Sequence, residues 1–453
     1  MKSTISCIYE NTQLQGILLK EDDTTYSIKI KSGYQVSVDK KNCSNVKITQ
    51  ETSEKIDASH TTKTNDKKSI SKTTNTKTNS KLPNIAIFHT GGTIASKVDY
   101  KTGAVSSHFT PEELIEQFQE LNSVANLQAF MIGNLMSEDL RFGHYNMILE
   151  AVKKHHTQFD GIIVSHGTDT MHYSSAALQY SLKHLNIPVL LVGAQRSSDR
   201  ASSDAFSNLQ AAITFISYSK QRKESYQPSF NRVGICMHNS SSDDSFVILD
   251  SINARKMHTS RRDAFKQVNF KPVCEISSTH NISNIREELF TISQNNEELT
   301  YTKYNEKLRI GVLYAHPHLH KEEILRLKDL YNGVILAGTG LGHIGLSEFD
   351  NISKQNVENQ DAINEVASKI PVCLATQCIN GKVNVNVYSS GRILLQSGVL
   401  GNYSALTIET QFIKLAYLLS KYNKKMITND EWSENKEGFN TAKVVDNNED
   451  CEY

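Results

Sequence analysis

The stretch IAIFHTGGTIAS, residues 85–96, runs four apolar positions into a turn that carries two glycines and then a threonine. An apolar run of strand length that stops at glycines predicts a buried strand ending in a tight turn. Gly91 and Gly92 can take backbone angles closed to other residues and let another group approach closely. Thr93 then presents a hydroxyl at the strand end, where backbone N–H groups can hold an oxyanion. A tight turn with a capping threonine is the plainer reading of this stretch alone.

The pattern recurs downstream. FDGIIVSHGTDT, residues 159–170, is a second buried strand and turn, with Gly167 ahead of Thr168 and Asp169. IPVLLVGAQ, residues 187–195, is a third strand. Between them HYNMILEAVKKHH and SSAALQYSLKHL read as helices, and TPEELIEQFQELNSV opens with Thr110 and Pro111, a cap followed by proline at the first helical position. Strands alternating with helices predict a parallel sheet covered by helices, with reactive groups beyond the carboxyl ends of the strands. A hydroxyl beside a carboxylate at such an end can orient an amine or relay a proton, although a helix-capping role fits the same residues.

A second α/β block is expected from residue 308. RIGVLYAH, NGVILAGTG, IPVCLATQC and RILLQSG read as short buried strands, and KEEILRLKDL, NQDAINEVASK and ETQFIKLAYLLSKY as helices. The polar stretch 296–307 reads as the interdomain link. Residues 1–50 read as a small β unit with period-two alternation in LQGILLKED and TYSIKIKSGYQVSVD and a hairpin turn at Ser32–Gly33. Residues 51–81, almost all Thr, Ser, Lys, Asn and Asp, cannot build a core and read as a flexible linker.

Composition narrows the function classes. With 49 basic and 49 acidic residues, a generally nucleic-acid-coating surface is not expected. No run approaches the roughly 20 apolar residues that span a bilayer, and the first residues lack the apolar core of a secretion signal. The seven cysteines are scattered and odd in number, a poor disulfide framework. These features lead us to expect a cytoplasmic protein without a membrane partner. There is no G-x-S-x-G, Walker A or H-E-x-x-H motif. GVILAGTGLGHIG does hold a G-x-G-x-x-G at Gly340, Gly342 and Gly345, but the following LSEFDNISKQN is a poor helix, so a packing loop is expected there instead of a dinucleotide site. In ARKMHTSRRDAF, Lys256 could activate a neighbouring hydroxyl or belong to a solvated basic patch.

The order HTGGTI, SHGTDTM, ARKMHTSRRDAF resembles the bacterial-type L-asparaginase family, and within it the D-type subunits of archaeal glutamyl-tRNA(Gln) amidotransferases, the glutaminase subunits. GAQRSSDRASSDAFSNL, LAGTGLGHIG, TQCINGKVNVNVYSSGR and the small N-terminal β unit carry the same resemblance. It implies an α/β fold: an asparaginase-like two-domain parallel-sheet core, residues 82–295 and 308–453, behind a small β-barrel-like (SH3-like) domain. It implies hydrolysis of L-glutamine with Thr93 as nucleophile, Thr168 working with Lys256, and Asp169 holding the α-amino group. Ser137 and Glu138 in NLMSEDL, and Tyr100, match substrate-binding positions. It further implies no cofactor in this subunit. The implied partner is a tRNA-binding amidotransferase subunit, of E type, that uses ATP and Mg2+ to convert Glu-tRNA(Gln) within a two-plus-two heterotetramer. GNYSALTIET, residues 401–410, departs from the family pattern. An independent L-asparaginase and a catalytically silent scaffold are the competing readings.

Overall fold

The computed structural model describes residues 3–9, 12–30, 35–50, 82–92, 96–98, 105–107, 119–196, 203–292 and 297–422. The expected linker at 51–81, the hairpin turn at Ser32–Gly33, the helix start at Thr110, Thr93 and Tyr100, and the tail from residue 423 lie outside them. The chain divides into two compact units, a small one at the N-terminus and a large one holding nearly all that follows residue 80.

The small unit is a five-stranded antiparallel sheet. Its order is Gln35–Asp39, Thr25–Ile30, Thr12–Glu21, Ser3–Tyr9 and Cys43–Gln50. The 3-10 turn Lys40–Asn42 leads into the last strand, which returns beside the first. Alternation places Ile5, Cys7, Ile28 and Val38 in one small core.

The large unit is organised by an eight-stranded sheet in the order Ile282–Ser283, Cys274–Ser277, Ser245–Asp250, Val233–His238, Val189–Val192, Gly161–Ser165, Asn84–Gly91, Asn126–Leu135. From Asn126–Leu135 to Val233–His238 the neighbours are parallel, and the remaining three strands add antiparallel. The apolar runs are continuous because both faces are covered. Ala86, Phe88, Ile162 and Val164 enter one core, and Ile85, Ile87 and Ile163 the other. Helices Phe142–His155 and Met171–Ser181 cover the first face and Ala205–Glu224 the second.

A second sheet, Ile310–Tyr314, Gly333–Gly338 and Val372–Thr376, is wholly parallel. Helix Ile408–Lys421 joins the two sheets. Its Ile413, Leu415 and Leu418 share one core with Phe88 and Val164 of the large sheet and with Ile335 and Ala337 of the second. The expected link is also tied down: Tyr304 is buried, its hydroxyl donates to Ala177 O, and its N–H donates to Asn146 Oδ1.

Two sequence expectations need amendment, and two further strand regions had no reading. RILLQSG is not a strand: Ser389–Gln396 is a helix that buries Gly391 and Leu394. A short apolar run cannot by itself distinguish strand from helix, and Leu394 here packs as one side of a helical turn. KEEILRLKDL forms two short helices, Lys321–Leu325 and Leu327–Leu330. The polar MHNSSSDDSFVILD conceals a hairpin, with strands Val233–His238 and Ser245–Asp250 flanking a serine- and aspartate-rich turn. Asn126–Leu135 is an edge strand that its irregular sequence pattern does not announce. The Gly340 loop does not open a helix. Gly342, at φ 104°, packs against Val383, and the next helix starts at Asn356.

Candidate active site

The turns after Asn84–Gly91 and Gly161–Ser165 meet at the carboxyl edge of the sheet. These strands are parallel neighbours, so they deliver their turns to the same place. Thr90 Oγ1 donates to Ser165 O at 2.8 Å, and His89 Nδ1 lies 2.8 Å from Ser165 Oγ. Gly91 and Gly92 have φ of 112° and 85°. A Cβ on Gly92 would lie 2.3 Å from Gly167 N, so the two turns touch backbone to backbone. On its other side Gly167 meets Ser137, whose Cβ would be 2.8 Å from an added methyl. The 3-10 turn Ser137–Asp139 is held there by Thr170 Oγ1, which donates to Ser137 O at 2.7 Å.

Lys256 reaches this junction from the hairpin Ala254–Lys256 and Phe265–Gln267. Its Nζ donates to Thr168 Oγ1 at 2.8 Å and to Asp169 Oδ1 at 2.6 Å. The lysine side chain is only 10% exposed and the aspartate 65%, so a buried amine ends at an accessible carboxylate. Thr168, Asp169, Lys256 and Ser137 are thus brought together. Exposed Glu138 adjoins Ser137, which donates to Glu138 Oε2 at 3.4 Å. Thr93 follows directly on Gly92, outside the described residues, as does Tyr100.

Sequence reading missed what sets Lys256 in place. Asn253 is buried with φ 66°, a left-handed conformation that asparagine tolerates. Its Nδ2 donates to Ala405 O, its Oδ1 accepts from Thr407 N, and its own N–H donates to Thr410 Oγ1. Arg255 pairs with Glu409 at 3.1 Å. The stretch 401–410, singled out only for departing from the family pattern, therefore anchors the segment that carries the lysine.

Three histidines near the junction are buried, and burial depresses all of them. His89 and His166 are pushed down to about 4. His172 falls to about 3, with the Arg255 and Lys256 charges adding to burial. All are neutral at pH 7. Because their folded-state values lie below the unfolded value of 6.5, the unfolded chain binds more protons between pH 6.5 and about 4. Stability present at neutral pH is therefore lost on acidification, each histidine contributing a slope of about 1.4 kcal/mol per pH unit. Urea unfolding at pH 7 and 5 should show this fall, and His172→Gln should reduce it. A slope unchanged by that substitution would contradict a neutral buried His172.

Residues 84–288 match the family model described as Asparaginase, N-terminal, and residues 309–429 the one described as Glutaminase/Asparaginase C-terminal domain. The D-type subunit of a glutamyl-tRNA(Gln) amidotransferase from Methanococcus maripaludis is 37% identical over 423 residues, covering 92% of each chain. The chain belongs to the family of glutamyl-tRNA(Gln) amidotransferase D-type subunits. Its Pyrococcus furiosus relative of the same name is 35% identical over 93% of this chain and 90% of its own. The fold agrees with the thermostable L-asparaginase from Thermococcus kodakarensis, at a TM-score of 0.63 and 22% identity over 78% of this chain and 98% of that one. Family and fold thus rest on matches that extend well beyond the two glycine turns. Among the described residues, no helix is long and apolar enough to cross a membrane.

Proposed function

We propose that the chain is the glutamine-hydrolysing subunit of a tRNA-dependent amidotransferase, with L-glutamine as substrate and Thr93 as nucleophile. The observation that carries this reading is Lys256 Nζ bonded at once to the Thr168 hydroxyl and the Asp169 carboxylate, on a turn that abuts Gly92. Thr93 Oγ attacks the side-chain carbonyl of glutamine, and its proton leaves through the Thr168–Lys256 pair. N–H groups of the two glycine turns stabilise the tetrahedral oxyanion, each such donor typically contributing about 3 kcal/mol. The C–N bond breaks, the nitrogen takes up a proton and ammonia departs, leaving a glutamyl ester. Water then cleaves the ester and releases glutamate. Asp169, with Ser137 and Glu138, holds the zwitterionic end and fixes the amide for attack. These steps draw on side chains and backbone of this chain and on water.

In this reading the ammonia serves a tRNA-binding E-type subunit, which activates the glutamate of Glu-tRNA(Gln) with ATP and Mg2+ in a cytoplasmic two-plus-two heterotetramer. The relatives' name and the N-terminal β unit favour this over an independent asparaginase. The test is ammonia release from L-glutamine and L-asparagine, with and without that partner and Glu-tRNA(Gln). Glutamine turnover that rises with the complete complex is expected. Uncoupled activity on asparagine would instead indicate a stand-alone asparaginase, and no ammonia from the complete complex a scaffold.

A further inference from the structure

We propose that His238, Asp243 and Arg262 are positioning residues that lock the Lys256 hairpin to the strand end behind Thr168. The proposal rests on the active site described above and adds residues to which nothing so far assigns a role.

The network begins in the hairpin loop. Arg262 Nη1 donates to Asp243 Oδ1 at 2.6 Å. The same carboxylate oxygen lies 2.9 Å from Nε2 of His238, which is fully buried with its ring edge-on to Phe246. His238 Nδ1 lies 2.7 Å from Oδ1 of buried Asn208. Asn208 Nδ2 donates to Gly193 O at 3.0 Å and also faces Asp204 Oδ2 at 3.3 Å. Asp204, itself fully buried, accepts from the N–H groups of Gln195 and Arg196. Gly193 backs directly on Thr168, whose Cγ2 would be 2.8 Å from a Cβ placed there. Thr168 is therefore held from two sides, by Lys256 and by Gly193, and Arg262 ties the two supports together.

The donors and acceptors make this network directional. The contacts of Asn208 Nδ2, to Gly193 O, Asp204 Oδ2 and Met237 Sδ, are all to acceptors, which fixes the amide orientation and turns Oδ1 toward His238. The other ring nitrogen faces a carboxylate. Both nitrogens of His238 thus face oxygen atoms, which hold the ring between Asn208 and Asp243. Burial works to raise the Asp243 carboxyl, but the hydrogen bonds from His238 and Arg262 outweigh it and hold the group below its ordinary value. Asp243 joins the ring to the guanidinium, and its side chain is 65% exposed, so it can be changed without opening the core.

The test is Asp243→Ala in the full-length chain with its partner subunit, measured by glutamine-dependent ammonia release and by hydrogen exchange. Misplacing Thr168 against Lys256 is expected to lower kcat by about 10-fold or more, with KM nearly unchanged. Exchange should rise in residues 189–196 and 256–265 without unfolding of the whole chain. Asp243→Glu, which keeps the acceptor, should restore most of both readouts. Wild-type kcat in Asp243→Ala, or unchanged exchange in those two segments, would overturn the proposal. If the wild type releases no ammonia, the functional reading fails, while the exchange measurement still decides whether the lock exists.

Discussion

Lys256→Met should reduce glutamine-dependent ammonia release by about 1,000-fold, the range in which positioned acid–base groups contribute. Methionine keeps an unbranched chain along the path that the lysine stem follows and removes only the amine. What disappears is the group that Thr168 Oγ1 and Asp169 Oδ1 both contact. The hydroxyl loses the amine it bonds, and the carboxylate loses the donor that aims it. The hairpin should stay in place, because Arg255–Glu409 and the Asn253 contacts to residues 405–410 hold it independently. Circular dichroism and the melting temperature should therefore stay close to wild type while kcat collapses. A kcat within about 10-fold of wild type would be smaller than this class of contribution and would remove Lys256 from the proton path.

Gly92→Ala is expected to damage both stability and activity. The methyl would sit 2.3 Å from Gly167 N and 2.5 Å from its Cα, against backbone that no rotamer change can move. The residue would also hold a φ of 85°, where side chains with a Cβ are strained. Relief requires the two turns to separate, which displaces Thr168 from the strand end carrying Thr93. A loss of about 3 kcal/mol in unfolding free energy is expected, together with loss of ammonia release even at temperatures where the variant is folded. Gly381→Ala is the contrasting case: its φ is 102°, but among the described residues no heavy atom beyond its chain neighbours stands within 4 Å of the added Cβ. It should carry backbone strain without the loss of activity. Equal activity in the two variants would show that the contact between the turns is not needed.

The parts of the fold legible in the sequence are those where burial is two-sided. Ile85–Phe88, Ile162–Val164 and Val189–Val192 read as uninterrupted apolar runs because each faces a core on both sides of the sheet. Where a strand lies at an edge or beside a polar turn, the signal fades, as at Asn126–Leu135 and around Ser240–Asp244. Ser389–Gln396 misled because only its Gly391 and Leu394 are buried, too few to display a helical period. At the site, the glycines and hydroxyls are visible because their local chemistry is unusual. Asn253 and His238 are not, since their roles come from partners 152 and 30 positions away that only the folded chain supplies.

The most direct test of the Thr168–Lys256 pair is a double-mutant cycle on kcat for glutamine hydrolysis, using Thr168→Val, Lys256→Met and the combined variant. If the two groups act as one proton-transfer unit, the double variant should be about as slow as the slower single variant. Losses that multiply would show two groups acting separately and would contradict a shared role for the 2.8 Å contact between them.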